Sequence, residues 1–155
     1  MGYLQERVIA YVTMDPCLFV AEERFLQYGP DKDKDIWWVD ALIVDPWAKM
    51  FYLGEATYDL RPKRLLKKLE IFSFRKTDVL KGVGREGAPE GWDIRPWLFL
   101  RKDAVDHVKK HLPEGLHPRI TYLEATAFPW NYEKDRRGGL EPERPYAGLD
   151  DRYQS

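Results

Sequence analysis

The chain has 155 residues, of which 25 are Lys or Arg and 26 are Asp or Glu, so its formal net charge is −1. This length suits one domain, and the balanced charge excludes the global basic signature of a nucleic-acid-binding protein, so any such binding has to use local patches. The single cysteine, Cys17, excludes an internal disulfide and a cysteine-based zinc cluster. No apolar run approaches the roughly 20 residues that cross a bilayer. These two observations predict a cytoplasmic protein.

The first two segments of the chain differ in how clearly they can be interpreted. Leu4, Val8, Tyr11 and Val12 recur at helical spacing, but residues 7–14 also fit a short strand, so this segment stays open. Asp15-Pro16 is typical of a helix start, and Gly29-Pro30 of a helix end, so a helix is predicted over residues 15–29. Glu22 falls on the apolar stripe of this helix, either paired with a structural partner or pointing into a site.

The next segment, residues 36–59, is predicted to form a β-hairpin. Two runs rich in β-branched and aromatic residues flank Asp45-Pro46, which suits a tight turn. If the turn is centred between Trp47 and Ala48, the numbers of partner residues add up to 95. Asp40 then lies directly opposite Glu55 on the same face of the sheet.

Two paired carboxylates in a mostly apolar hairpin require an explanation. Like charges placed opposite each other repel, and the usual remedies are a shared proton, a basic side chain or a bound cation. A divalent metal ion held by Asp40 and Glu55 is the leading interpretation. A register shifted by one residue, or a position at a solvated end of the sheet, would leave the two acids without such a role.

Pro62 is predicted to open a helix whose apolar face packs on the sheet. The basic residues of its opposite side form a solubilising surface in this interpretation: Lys63, Arg64 and Lys67. Arg61 and Lys68 flank the apolar face, from which a long side chain can turn back over the edge of the sheet. They are therefore the better candidates for a site.

Residues 77–92 are rich in Gly and Pro and are predicted to form a flexible loop. Residues 82–87 have the spacing of a dinucleotide-binding fingerprint, but the strand and helix that such a fingerprint requires are missing around them. Basic side chains in and beside this loop are candidates for contact with a phosphate backbone, namely Lys76, Lys81 and Arg85.

The remaining chain is predicted to form a strand over 94–101, a helix over 103–112 and a strand over 119–128. Residues 129–155 have no period and are predicted to be an extended or disordered tail, which leaves a single domain over residues 1–128. The fold class is α/β (α+β), a central mixed β-sheet flanked by helices in the order α-β-β-α-β-α-β.

This order, with Asp40 and Glu55 on neighbouring strands of a hairpin, resembles the core of the restriction-endonuclease-like, or PD-(D/E)xK, nuclease superfamily. The resemblance implies that Asp40 and Glu55 bind metal, and that Glu22 supplies a further ligand from the preceding helix. Thr57 stands where the family has a lysine. Some family members carry that lysine on the following helix, where Lys68 would match.

The resemblance implies a nuclease that hydrolyses phosphodiesters with Mg²⁺ or Mn²⁺, with DNA as the favoured substrate. Two alternatives stay open. A nuclease fold without the motif lysine could bind nucleic acid without cutting it. The many tryptophans and the C-terminal tail could instead join copies of the chain into a homo-oligomer with a structural role.

Overall fold

The computed structural model describes residues 2–83 and 89–137, but not the side chains of residues 22–24 and 136–137. Within these ranges the chain forms an α+β fold with helices on both faces of a five-stranded mixed sheet of order β1-β2-β3-β4-β5. The strands are β1 (Phe19–Gln27), β2 (Ile36–Asp45), β3 (Met50–Thr57), β4 (Asp93–Leu100) and β5 (Arg119–Tyr122). The helices are α1 (Tyr3–Val12), α2 (Lys63–Val83), α3 (Val105–Lys110) and α4 (Tyr132–Arg137).

The sheet combines an antiparallel half with a parallel half. β1, β2 and β3 pair antiparallel in succession, while β4 runs parallel to β3 and β5 runs parallel to β4. The parallel connections pass through α2 and α3, as parallel strands require a crossover. The coarse prediction of a mixed sheet flanked by helices is therefore confirmed.

Each face of the sheet is covered by its own helices. On one face, Val8, Tyr11 and Val12 of α1 pack against Ile43 and Tyr52. On the other face, apolar residues of α2 and α3 pack against β3 and β4, chiefly Leu65, Leu69, Phe72, Val105 and Val108. Because both faces of the central strands are buried, these strands are almost continuously apolar.

The predicted helix over residues 15–29 is wrong, since residues 19–27 form the edge strand β1. Asp15 accepts a hydrogen bond from the Cys17 N–H at 2.9 Å in a tight turn that follows α1, so it does not cap a helix. In the strand, neighbouring apolar residues point to opposite faces: Leu26 is buried and Phe25 is exposed. The element order therefore contains a third antiparallel strand before α2.

Residues 77–83 and 129–137 also differ from their predictions. Helix α2 continues to Val83, beyond a kink at Arg75, because Val79 is buried in the core and Gly82 lies against the carbonyl of Gln27. A Cβ at Gly82 would lie 2.6 Å from that oxygen, so the close approach requires glycine. Residues 84–88, which include the predicted phosphate contact Arg85, lie outside the described residues.

The chain packs on α1 beyond residue 128, and residues 129–137 form helical segments in place of an extended tail. The buried Tyr132 ring lies 4.9 Å from the Tyr11 ring, and its hydroxyl donates to Asp15 Oδ2 at 3.2 Å. Residues 138–155 of the predicted tail lie outside the described residues.

The strand predicted over residues 119–128 is shorter in the structure and ends at Tyr122. Leu123–Ala127 form a 3-10 helix instead. In the part of the chain that the structure describes, no helix has the length and apolar character needed to span a membrane.

Candidate active site

The sheet opens between β2 and β3 at one end. The two strands pair from Asp45 and Met50 as far as Ala41 and Gly54. Beyond this point β2 continues with β1, and β3 continues with β4. A pocket of about 450 Å³ occupies the opening beside the first turns of α2. The residues that line it include Trp38, Asp40, Glu55, Thr57, Arg64 and Lys68.

The last backbone pair before the opening brings β2 and β3 unusually close together. A Cβ on Gly54 would lie 2.8 Å from the carbonyl oxygen of Ala41, so only glycine permits this approach. One residue further along β2, Asp40 Oδ2 accepts a hydrogen bond from the Ala56 N–H at 3.0 Å. The Asp40 carbonyl in turn accepts a hydrogen bond from the Gln5 side chain of α1. These contacts hold the Asp40 carboxylate at the mouth of the opening.

Glu55 is the buried carboxyl group of the pocket. Its Oε1 accepts a hydrogen bond from the Trp37 Nε1–H at 2.7 Å and lies 3.1 Å from the Lys68 ammonium nitrogen. Lys68 also donates to the carbonyl of Trp38 at 2.9 Å, which fixes the lysine over the end of β2. The site therefore combines a buried acid, a second acid at the opening and an ammonium group from α2.

The surroundings of Glu55 favour its protonated form. Burial raises the pKa of the Glu55 carboxyl to about 8. The positive charge of Lys68 opposes this rise in the pKa, the neighbouring Asp40 carboxylate adds to it, and the hydrogen bond from Trp37 opposes it. The charge of Lys68 and the hydrogen bond from Trp37 thus do not offset the effect of burial, and a further cation in the pocket would favour the ionised form of Glu55.

The structure brings together three of the site residues predicted from the sequence. The predicted hairpin register is confirmed for residues 41–45 and 50–54, but the ladder ends there, so Asp40 and Glu55 are not paired across the two strands as predicted. Both nevertheless line one pocket. Lys68 turns back over the sheet as predicted and reaches Glu55. Thr57 also lines the pocket, and its hydroxyl accepts a hydrogen bond from the Asp59 N–H at 3.1 Å.

Arg61 is not part of the pocket lining, whereas Arg64 is. Arg64 is exposed, as expected for a solvated surface, but it also borders the pocket. Arg64 precedes Lys68 by four residues on α2, and this spacing places both side chains on the same side of the helix. The same spacing in the sequence could have identified Arg64 once Lys68 was a candidate.

The other predicted basic contacts lie away from the pocket. Lys76 pairs with Asp93 at 2.8 Å, near the Met50 end of β3, about 17 Å along the strand from Glu55 at the usual rise per residue. Lys81 is exposed in the last turn of α2. These residues therefore do not converge with the carboxylates on one surface.

The prediction that a helix presents Glu22 to the two acids is wrong, because Glu22 belongs to β1, where it pairs with Ala41. Its side chain lies outside those that the structure describes. Among the described side chains, no group of three or more His, Cys, Asp or Glu residues is arranged to hold a metal ion. Two carboxylates are nevertheless a sufficient protein contribution for Mg²⁺, which retains water and binds phosphate oxygens at its other positions.

Comparison with known proteins identifies no relative: no family model matches the sequence, and no curated protein or solved structure is significantly similar to it. The chemistry of the pocket is therefore the basis for a functional assignment.

Proposed function

We propose that this protein is a metal-dependent nuclease with a PD-(D/E)xK-like site, which hydrolyses phosphodiester bonds of nucleic acid, with DNA as the favoured substrate. The observation that carries the proposal is the common pocket of Asp40, Glu55 and Lys68. Asp40 and Glu55 lie on two neighbouring strands, as the resemblance implies, and Lys68 lies on the following helix, where some members of the family carry the motif lysine.

The two acids suit Mg²⁺ or Mn²⁺. Asp40 and Glu55 offer hard carboxylate oxygens beside an open pocket, and a bound cation would favour the ionised form of the buried Glu55 carboxyl. When bound, such an ion supplies charge that lowers the pKa of a coordinated water and offsets negative charge developing on a phosphoryl group.

The protein's own groups orient the acids and complement the substrate. The Ala56 N–H holds one oxygen of Asp40, and the Trp37 indole holds Glu55. Lys68 and Arg64 place positive charge at the same pocket, where they would attract the phosphate backbone and stabilise charge on the attacking or leaving oxygen. Lys68 thereby takes the role of the motif lysine that Thr57 cannot perform.

The fold offers further support for a restriction-endonuclease-like core. The two acids lie on β2 and β3, which form the predicted hairpin, and α2 follows directly. A strand parallel to β3 comes next, as the predicted mixed sheet requires. The additional strand β1 extends the antiparallel half at its edge and leaves this arrangement unchanged.

The direct test is cleavage of single-stranded and double-stranded DNA in the presence of Mg²⁺ or Mn²⁺. We expect the native chain to cleave, and we expect Asp40→Asn, Glu55→Gln and Lys68→Ala to lose activity by about 100-fold or more. The matched controls Glu70→Gln and Lys67→Ala change exposed groups of the same helix and should retain activity. Metal-dependent activity that persists undiminished in Glu55→Gln would remove Glu55 from the mechanism.

A second candidate function is nucleic-acid binding or assembly without cleavage. The observation in its favour is the ion pair between Glu55 and Lys68, which compensates one acid without a metal, together with Thr57 in place of the motif lysine. Thermal unfolding separates the two functions. A metal ion at 100 times its dissociation constant stabilises the folded protein by about 2.7 kcal/mol. If Asp40 binds the metal ion, this stabilisation should disappear in Asp40→Asn.

A further inference from the structure

Exposed aromatic rings lie near the opening between β2 and β3, on the side of the sheet that α1 covers. Trp37 packs its ring on Phe72 of α2, so its neighbour Trp38 projects from the opposite face. The Trp38 ring is exposed and lies 5.2 Å from the exposed ring of Phe25 in β1. These two rings form one side of the rim.

The rest of the rim consists of two tyrosines and an arginine, of which Tyr58 stands between the pocket residues Thr57 and Asp59. Tyr58 directly follows β3, and its hydroxyl accepts a hydrogen bond from Arg7 of α1 at 2.9 Å. The Arg7 guanidinium also lies over the ring of Tyr3, 5.7 Å from its centre. Both tyrosine rings are exposed. We call Phe25, Trp38, Tyr58 and Tyr3, together with Arg7, the aromatic rim.

The aromatic rim and the carboxylate pocket meet at the same opening. Trp38 lines the pocket, and its carbonyl binds the ammonium of Lys68. Exposed rings beside cations suit unpaired nucleobases, since a base stacks on a ring while its phosphate contacts a basic side chain. Bases inside a duplex are already stacked on each other and do not offer their faces in this way.

We propose that the aromatic rim binds unpaired bases and so selects single-stranded nucleic acid as the ligand of this site. The proposal deepens the nuclease function and rests on it for the role of the pocket. Lys68 and Arg64 line the pocket and supply positive charge for the phosphates. Arg7, which also donates to the Leu123 carbonyl at 3.0 Å, adds positive charge between the two tyrosines of the rim. Trp38 supplies the principal stacking surface because its ring is the largest of the four and borders the pocket.

The test measures binding without cleavage, by fluorescence anisotropy in the presence of EDTA. The probes are a labelled single-stranded oligothymidine of about 12 nucleotides, an abasic oligonucleotide of equal length and a blunt duplex, the length being matched to a site of this size. We expect Trp38→Ala to weaken binding of the oligothymidine by roughly 5- to 100-fold and Trp38→Phe to restore most of it. Binding of the abasic strand, which has phosphates but no bases, should not change.

Trp47 provides the matched control. It is 72% exposed, against 60% for Trp38, but it lies in the hairpin turn at the other end of β2. Trp47→Ala should therefore bind the oligothymidine as the native chain does. Equal loss in Trp47→Ala and Trp38→Ala, equal loss on the abasic strand, or native binding by Trp38→Ala would each overturn the proposal.

Two further outcomes separate this inference from its rivals. Because the probe is bound without a metal, base-dependent binding that needs Trp38 supports the inference even if the native chain cleaves nothing. Cleavage of duplex and single strand at equal rates, unaffected by Trp38→Ala, would leave the nuclease function intact and remove the stacking role. If sedimentation shows that Trp38→Ala converts a dimer to a monomer, the rim is an interface between copies and the proposal fails.

Discussion

Asp40 Oδ2 accepts a hydrogen bond from the Ala56 N–H at 3.0 Å, one residue beyond the last backbone pair of β2 and β3. The carboxylate takes the place that a backbone carbonyl would have if the ladder continued. This contact couples the opening of the sheet to the position of one of the two acids.

Asp40→Ala should destabilise the protein, while Asp40→Asn should be much milder. Alanine leaves the Ala56 N–H without its charged acceptor, at a cost of about 1–3 kcal/mol, whereas the asparagine carbonyl oxygen can still accept this hydrogen bond. Urea unfolding of the two variants gives the comparison. Equal stability of Asp40→Ala and Asp40→Asn would show that the contact with Ala56 contributes little.

The pKa of Glu55 predicts a pH dependence of stability in the absence of divalent metal. The folded state raises this pKa from 4.5 to about 8. Between these two pH values, the Glu55 carboxyl of the folded protein keeps a proton that the same group in the unfolded chain has released. The contribution of Glu55 is therefore fully present below about pH 4.5 and is lost as the pH rises through about 8, on the order of a few kcal/mol. Glu55→Gln should remove this slope, as measured by urea unfolding at several pH values. A slope that is the same in Glu55→Gln would assign the dependence to other groups.

Trp37→Phe should raise the pKa of Glu55 further. The indole N–H donates to Glu55 Oε1 at 2.7 Å and favours the ionised carboxylate, while phenylalanine keeps an aromatic ring against Phe72 but has no donor. Carbon-13 NMR titration of the Glu55 carboxyl measures the shift directly. Trp92→Phe changes a ring stacked on Phe51, and it should leave this titration unchanged.

Gly54→Ala should destabilise the fold by about 1–3 kcal/mol and disturb the opening. The new Cβ would lie 2.8 Å from the Ala41 carbonyl oxygen, so β2 and β3 would have to separate next to the two acids. Gly2→Ala is the control, because a Cβ there has no atom within 4 Å. Thermal unfolding of both variants tests the expectation, and equal stability of the two would contradict it.

The local chemistry of the sequence was sufficient to predict the hairpin. Asp45 accepts hydrogen bonds from the backbone N–H groups of Trp47 and Ala48, both at 3.1 Å, and thereby sets the turn and the register of its strands. Because the register follows from a turn within a few residues, it is encoded locally. The direction in which the Lys68 side chain points is also encoded locally, since the helical period of α2 fixes it relative to the buried Leu65 and Leu69.

Segment 15–29 shows where local signals failed. Its apolar residues and its Asp-Pro start fit a helix as well as a strand, and pairing with β2 decides between them. The length of α2 beyond Arg75 likewise depends on contact with β1, through Gly82 and Gln27. Neither contact is visible in a window of neighbouring residues.

The sequence by itself therefore determined the hairpin, the register of residues 41–45 with 50–54, and the lysine that reaches Glu55, because turn geometry and helical period act over a few residues. Only the tertiary structure decided that the sheet opens between β2 and β3, that Arg64 joins the pocket in place of Arg61, and that Trp38 borders it among exposed rings. Those features arise where strands and helices distant in the chain meet, and their positions follow from packing of the whole domain.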